Sequence, residues 1–236
     1  MLKQKTNKVL RLLFVVCLLY GCAHNNHYIG EEYLGKKYIS SPLGEEKAPD
    51  IDPLIRFDAF DCTTFVETAL AQGDKNKLNS IRYKNGQIDF IYRNHFTETD
   101  WLQNNKDIVK NVSALYGKTS VRHVNIDKKN WFKKNHNIDT NFEKQSTDIE
   151  YIPYTNISKI NTQKPLIILF IHDGDGFYDK IGTDLAVTHM GFLLPGGILR
   201  HASSQQGIVT DTNFEQYIAN RKKNSHNLGI ALVEIK

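Results

Sequence analysis

Cysteine is scarce in this 236-residue chain: three occur, beside two Met, two Trp and six Pro. So few cysteines exclude a small fold stapled by several disulfides, and a hydrophobic content of 40% supplies one real core without them. No apolar run reaches the roughly 20 residues that a membrane-spanning helix needs. Internal repeats and low-complexity tracts are also missing, so the default is one globular domain. The body lacks surplus charge as well. The formal net charge is +4, but Lys3, Lys5, Lys8 and Arg11 all lie in the first 21 residues, which contain no acid; the remainder holds 26 cations and 26 anions. A neutral body argues against a nucleic-acid binder, whose affinity rests on clustered Lys and Arg, and against a polybasic membrane-surface binder.

What is present begins with an address. The basic start, the apolar stretch from Leu12 to Tyr20 and the small residue Gly21 have the form of a secretory signal. Leu19-Tyr20-Gly21-Cys22 resembles the bacterial lipobox, in which the Cys after the cleavage point carries acyl chains. The chain is therefore expected to be exported and lipid-anchored through Cys22, the alternative being a plain signal peptide with a nearby Cys. Asp is absent from the next two positions, Ala23 and His24, which favours the periplasm-facing outer membrane. With Cys17 in the signal and Cys22 acylated, the body keeps Cys62 alone. A lone thiol in an oxidising compartment is a liability unless it has chemical work or is buried.

The expected division is 1–21 signal, 22–50 tether and N-terminal arm, and 51–236 catalytic domain. Residues 22–50 are polar and irregular. From Phe60, the spacing of Phe65, Val66, Ala69 and Leu70 predicts a helix that ends before Gly73. Trp101, Leu102, Ile108 and Val109 suggest a second helix, with Trp101 in its core, and Val121 to Ile126 a strand. The polar stretch from Asp127 to Glu150 reads as a surface insertion. Later runs read as strands: Leu166 to Ile171, Ala186 to Leu194, Ile198 to His201, and Leu228 to Ile235, the middle two joined as a hairpin through Pro195-Gly196-Gly197. Thr212-Asn213-Phe214-Glu215 has the form of a capping box, opening a short helix to about Arg221. Helices first and strands later is an α+β pattern.

The residues that carry chemistry sit at these element boundaries. Asp61 is a natural N-cap, so Cys62 falls in the first helical turn, where free N–H groups and the helix dipole favour a thiolate and could also hold an oxyanion. A thiol nucleophile wants a base. His189 and His201 lie on the two strands of the hairpin, symmetric about residue 195, and are expected to face each other at about 5 Å. Such a pair suits a base and the group that orients it.

Asp61-Cys62-Thr63-Thr64-Phe65-Val66-Glu67, His189-Met190-Gly191-Phe192 and His201-Ala202-Ser203 together resemble the NlpC-type cell-wall peptidases, which are papain-like cysteine hydrolases. Thr-Thr-Phe-Val-Glu after the Cys, Arg93-Asn94-His95-Phe96 and Gly182-Thr183-Asp184-Leu185 resemble its N-acetylmuramoyl-L-alanine amidase-like branch, over residues 50 to 236. The resemblance implies N-terminal helices, with the catalytic Cys at a helix start, packed on a C-terminal antiparallel sheet. It implies Cys62 as nucleophile, His189 as general base and then acid, and His201 as the orienting third member. The substrate implied is the amide between N-acetylmuramic acid and L-alanine in peptidoglycan or muropeptides, cut through a thioester in cell-wall turnover or recycling. No cofactor and no metal is expected, and the chain is expected to act as a monomer.

Other residues carry weaker signals. Arg93, Asn94 and His95 could bind carboxylates or sugar amides, or form a turn around a packed Phe96. Asp184 could hold a substrate amine or hydroxyl, or cap a loop. His172-Asp173-Gly174-Asp175 invites a cation but lacks further ligands at plausible spacing, and reads as a solvated loop. His24, His27, His123, His136 and His226 read as surface residues. Competing functions are an endopeptidase cutting between D-glutamate and the diamino acid of the stem peptide, a non-catalytic wall-binding lipoprotein, and a zinc amidase using His95, His189 and His201.

Overall fold

A computed structural model of the chain describes residues 28–157 and 159–236. The signal-like segment, Cys22, His24 and His27 lie outside the described residues. In chain order the elements are β1 (Lys37–Tyr38), β2 (Ala59–Phe60), α1 (Cys62–Ala71), α2 (Lys75–Arg82), α3 (Leu102–Asn104), β3 (Val109–Asn111), β4 (Ser120–Ile126), α4 (Lys128–His136), β5 (Gln145–Pro153), β6 (Leu166–His172), α5 (Phe177–Ile181), β7 (Val187–Leu194), β8 (Ile198–Ser203), β9 (Ile208–Asn213), α6 (Phe214–Arg221) and β10 (Asn227–Ile235). All ten strands join one sheet in the order β2-β1-β9-β8-β7-β6-β10-β5-β4, with β3 on β10. Every pairing is antiparallel except β1 with β2. The fold is mixed α+β.

Both faces of the sheet are covered. On one, Phe65, Val66 and Ala69 of α1 and Leu78 and Ile81 of α2 pack against Leu169, Met190 and Phe192. On the other, Phe214 and Ile218 of α6 pack against Phe170, Leu193 and Leu199. This explains β6, whose apolar run from Leu166 to Ile171 is buried at every position: a strand covered on two faces has no solvent side on which to alternate. Each large side chain so buried contributes about 1.5–3 kcal/mol.

Residues 28–50 pack on the domain as an arm, while two other sequence expectations change. β1 pairs with β9, Tyr33 is in the core, and Arg200 Nη1 donates to the carbonyls of Tyr28 and Ile29 at 3.0 and 3.2 Å. The polar stretch 127–150 carries α4 and most of β5, and seats Phe132, fully buried, against Phe90 and Trp131. The helix expected from Trp101 is a π-helical turn, Thr97–Trp101, followed by the single turn of α3, after which Val109 begins a strand. Trp101 itself is fully buried in the core, as expected.

The arm is fastened by a buried ion cluster. Arg93 donates from Nε and Nη2 to the two carboxylate oxygens of Glu45 at 2.7 and 2.6 Å, and from Nη2 to Asp50 at 2.8 Å. The Glu45 side chain is wholly buried and also accepts from the Tyr83 hydroxyl at 3.0 Å. Removing one partner strands the other's charge. Arg93→Met is therefore expected to lower unfolding free energy by about 3 kcal/mol in urea titration, and adding Glu45→Gln to recover part of that loss. A loss below about 0.5 kcal/mol would show that the cluster does not fasten the arm.

Candidate active site

The start of α1 is locked by reciprocal capping. Asp61 Oδ1 accepts the Thr64 N–H at 2.8 Å, and Thr64 Oγ1 accepts the Asp61 N–H at 2.9 Å. The other Asp61 oxygen accepts the Ser41 N–H at 3.1 Å, so the cap also holds the arm. Cys62, the free cysteine among the described residues, is thereby fixed as the first helical residue and is partly enclosed. Burial and the adjacent Asp61 carboxylate push its thiol up to about 11, against the opposing hydrogen bonds from the Met190 N–H, the Thr63 hydroxyl and the Thr63 N–H. The helix start was expected to lower this value. Burial is the main cause of the reversal, and Asp61 adds to it by setting a negative charge beside the sulfur.

The histidines are placed by two irregularities in the sheet. Between β6 and β7 the register slips after Phe170↔His189, so that Ile171 pairs with Val187 and Thr188 forms a bulge. A bulge re-aims the side chains beside it. Between β7 and β8 the pairs run Leu194↔Ile198, Leu193↔Leu199 and Phe192↔Arg200, centred on Gly196 rather than residue 195. Gly196 and Gly197 both take positive φ, 83° and 73°, which glycine adopts without steric cost. Extending that register sets His201 opposite Gly191, two residues from His189. A shift of two keeps both histidines on one face, and they meet diagonally. Gly191 makes room: a Cβ there would stand 2.8 Å from His201 Cβ and 2.7 Å from the Arg200 carbonyl oxygen.

The result is a hydrogen bond of 2.7 Å between His189 Nε2 and His201 Nδ1, with ring centroids 5.0 Å apart and planes at 78°. His201 Nε2 lies 3.4 Å from Thr212 Oγ1. Phe170 packs on His189, and Tyr217 meets His201 edge-on at 5.1 Å. Burial, then the His201 and Arg221 charges, hold His189 down to about 3, and burial holds His201 down to about 4. Both rings are neutral at pH 7. If His189 Nε2 carries the proton, it donates to His201 Nδ1, His201 Nε2–H donates to Thr212, and His189 Nδ1 is left with a lone pair. That tautomer makes His189 a base.

Cys62 and the histidine pair share two neighbours, Met190, which follows His189 on β7, and Tyr217, whose ring meets that of His201. The ladder ends at Phe192↔Arg200, and beyond it the Met190 N–H, one residue after His189, turns to the Cys62 sulfur. The Tyr217 phenol beside His201 and the Tyr38 phenol on β1 both lie within the electrostatic reach of Cys62.

The remaining sequence candidates lie elsewhere, engaged with internal partners. Arg93 belongs to the Glu45–Asp50 cluster. Asn94 donates to the Ile81 carbonyl at 2.9 Å and accepts from Asn104. His95 sits among Phe90, Trp131 and Phe132 with Nε2 2.6 Å from the Phe90 carbonyl oxygen, and burial holds it down to about 3. Those surroundings share nothing with the His189–His201 pair, so the zinc set of His95, His189 and His201 is not assembled. Asp184 pairs with Arg122 at 2.7 Å and accepts the Asn125 N–H at 3.2 Å, tying β4 to the approach of β7. In the His172 loop, the ring Nδ1 accepts the Gly174 N–H at 3.0 Å, and Asp173 pairs with His226 at 2.9 Å. His123 and His136 are both exposed, as expected, the first beside Asp148 and the second with its ring against Phe90 and Trp131. Sequence reasoning missed Thr188, Gly191, Thr212 and Arg221. The i,i+4 spacing of Tyr217 and Arg221 on α6 was the one available signal.

A family model described as AmiA-like, N-acetylmuramoyl-L-alanine amidase-like, matches residues 28–229. The chain belongs to this amidase-like family. Among solved structures, a Legionella pneumophila protein of the DUF1460 family model is 26% identical, over 88% of this chain and 86% of that one, with TM-score 0.80. An N-acetylmuramoyl-L-alanine amidase from Bacteroides uniformis shares the fold at 22% identity, over 88% and 97% of the two chains, with TM-score 0.67. So does a Bacteroides fragilis protein described as a candidate xylanase, at 23% identity over 87% and 99%, with TM-score 0.65. No curated protein sequence matches the chain.

A thiol held near 11 is protonated at neutral pH, and its thiolate fraction grows as pH rises. Alkylation of the Cys62 peptide by iodoacetamide, read by mass spectrometry, is expected to accelerate about tenfold per pH unit between pH 7 and 10. A rate already level from pH 6 would contradict this and indicate a preformed thiolate–imidazolium pair.

Proposed function

We propose that this amidase-like protein is a cysteine hydrolase that cleaves the amide between the lactyl group of N-acetylmuramic acid and L-alanine in muropeptides. The observation that carries the reading is the Cys62 thiol at a capped helix start, hydrogen-bonded to Met190 beside the His189–His201 pair. Family membership points to the bond. Cys at a helix start beside an antiparallel sheet with paired histidines also supports a papain-like course of reaction.

In the resting site both partners are neutral, so proton transfer accompanies attack. The Cys62 sulfur bonds to the carbonyl carbon as its proton passes to His189 Nδ1, and the oxygen takes the negative charge near the first turn of α1. The imidazolium formed on His189 donates through Nε2 to His201, a neutral acceptor that steadies it without adding charge. The C–N bond then breaks, and His189 returns the proton to the leaving amine of L-alanine. Water, deprotonated by His189, adds to the thioester and releases the lactyl carboxylate and the thiol. We further propose that the protein is lipid-anchored at Cys22, facing the periplasm from the outer membrane, and acts there as a monomer; the lipobox-like sequence supports the anchor.

Incubation with a defined muropeptide is expected to release the intact stem peptide and the free sugar acid, identified by mass, and Cys62→Ala to slow release by about 10³-fold or more. Release of the L-alanyl-D-glutamate dipeptide would replace the amidase reading with an endopeptidase. Undiminished turnover by Cys62→Ala would end the cysteine mechanism.

A further inference from the structure

A cavity of about 330 Å³ opens between the histidine pair and α6, lined among others by Thr188, His189, His201, Tyr217, Asn220 and Arg221. Arg221 supplies the only charged side chain on this wall, since its other lining residues are neutral polar ones and both histidines are uncharged at pH 7. Arg221 differs from the other described arginines. Arg56, Arg82, Arg93, Arg122 and Arg200 each pair with an Asp or Glu. Among the described residues, no carboxylate pairs with Arg221. Its Nη2 donates to the Thr188 hydroxyl at 3.2 Å, its guanidinium lies 5.3 Å from the Phe170 ring centroid, and its remaining side-chain neighbour is the neutral Tyr154 phenol. A half-buried, permanently charged fork with neutral neighbours leaves one anion unaccounted for.

We propose that Arg221 is a specificity residue that binds a carboxylate of the substrate's stem peptide in this cavity. The assignment rests on the amidase reading, in which the residue after the scissile L-alanine amide is glutamate, an acid within reach of the reacting centre. Thr188 joins the two functions: it forms the bulge that aims His189 and accepts from Arg221, so a bound carboxylate is registered against the base.

The test compares N-acetylmuramoyl-L-alanyl-D-glutamate with its neutral diamide. The protein is expected to favour the diacid about tenfold or more in kcat/KM. Arg221→Gln is expected to bring that ratio close to one and Arg221→Lys to leave it intermediate, while Thr188→Val, which keeps the charge, retains the preference. A wild-type ratio near one, or a ratio unchanged in Arg221→Gln, overturns the proposal. A ratio lost equally in Thr188→Val would assign Arg221 to supporting the bulge and overturns it too. Calorimetry with Cys62→Ala separates this question from the choice of bond: if the wild type cuts neither compound, the amidase reading fails, and tighter binding of the diacid that Arg221→Gln abolishes still upholds the carboxylate site. Equal binding of both compounds overturns it.

Discussion

The 2.7 Å hydrogen bond between His189 Nε2 and His201 Nδ1 leaves His189 Nδ1 as the one ring nitrogen of that residue with no partner among the described residues. Much of the surrounding structure serves this constraint. The Thr188 bulge turns His189, the glycine at 191 clears space for His201, and Thr212 on β9 stands 3.4 Å from the far nitrogen of the second ring. Neither histidine leans on a carboxylate. The Asp211 charge does raise His201, but Asp211 is engaged with Arg200 through two bonds of 2.8 and 2.9 Å, and burial prevails. The two rings are therefore uncharged at rest, with the Asp61 carboxylate and the Arg221 guanidinium as the charges near the site, and the enclosed environment strengthens each interaction.

The site depends on distant parts of the chain. α1 presents Cys62 because Asp61 caps it, and Asp61 is steadied by Ser41 of the arm. The arm is held by Glu45 and Asp50 on Arg93, and its first described residues by Arg200, which neighbours His201 on β8. β7 is fixed at its start by the buried Glu98, whose Oε1 accepts the N–H groups of Ala186 and Val187 at 2.7 and 2.6 Å. The placement of Cys62 and the two histidines thus draws on three tethered segments rather than on two rigid elements.

Much of this was legible in the residues. Asp61-Cys62 announced a capped helix start, the run from Leu166 to Ile171 a strand, and Pro195-Gly196-Gly197 a hairpin. What escaped had non-local or competing causes. A turn centred one residue later moves the register by two, which a symmetric count about residue 195 cannot detect. The acidic partners of Arg93 lie more than 40 residues earlier, so its side chain read as free. α4 hides in a polar stretch because two adjacent aromatics, Trp131 and Phe132, supply most of its buried contact, too few for a periodic signal. The direction of the Cys62 shift escaped because burial of the thiol, which no local motif records, outweighs the helix start, and the Asp61 that caps the helix also opposes the thiolate.

The proposed mechanism passes through a thioester formed at Cys62 and resolved by water. Its most direct measurement is the partition of that intermediate between water and added hydroxylamine during turnover of a muropeptide. The expected product is the hydroxamate of the sugar lactyl group, increasing with hydroxylamine at the expense of the acid, while the stem peptide leaves intact. Formation of the carboxylic acid alone at every hydroxylamine concentration would contradict it.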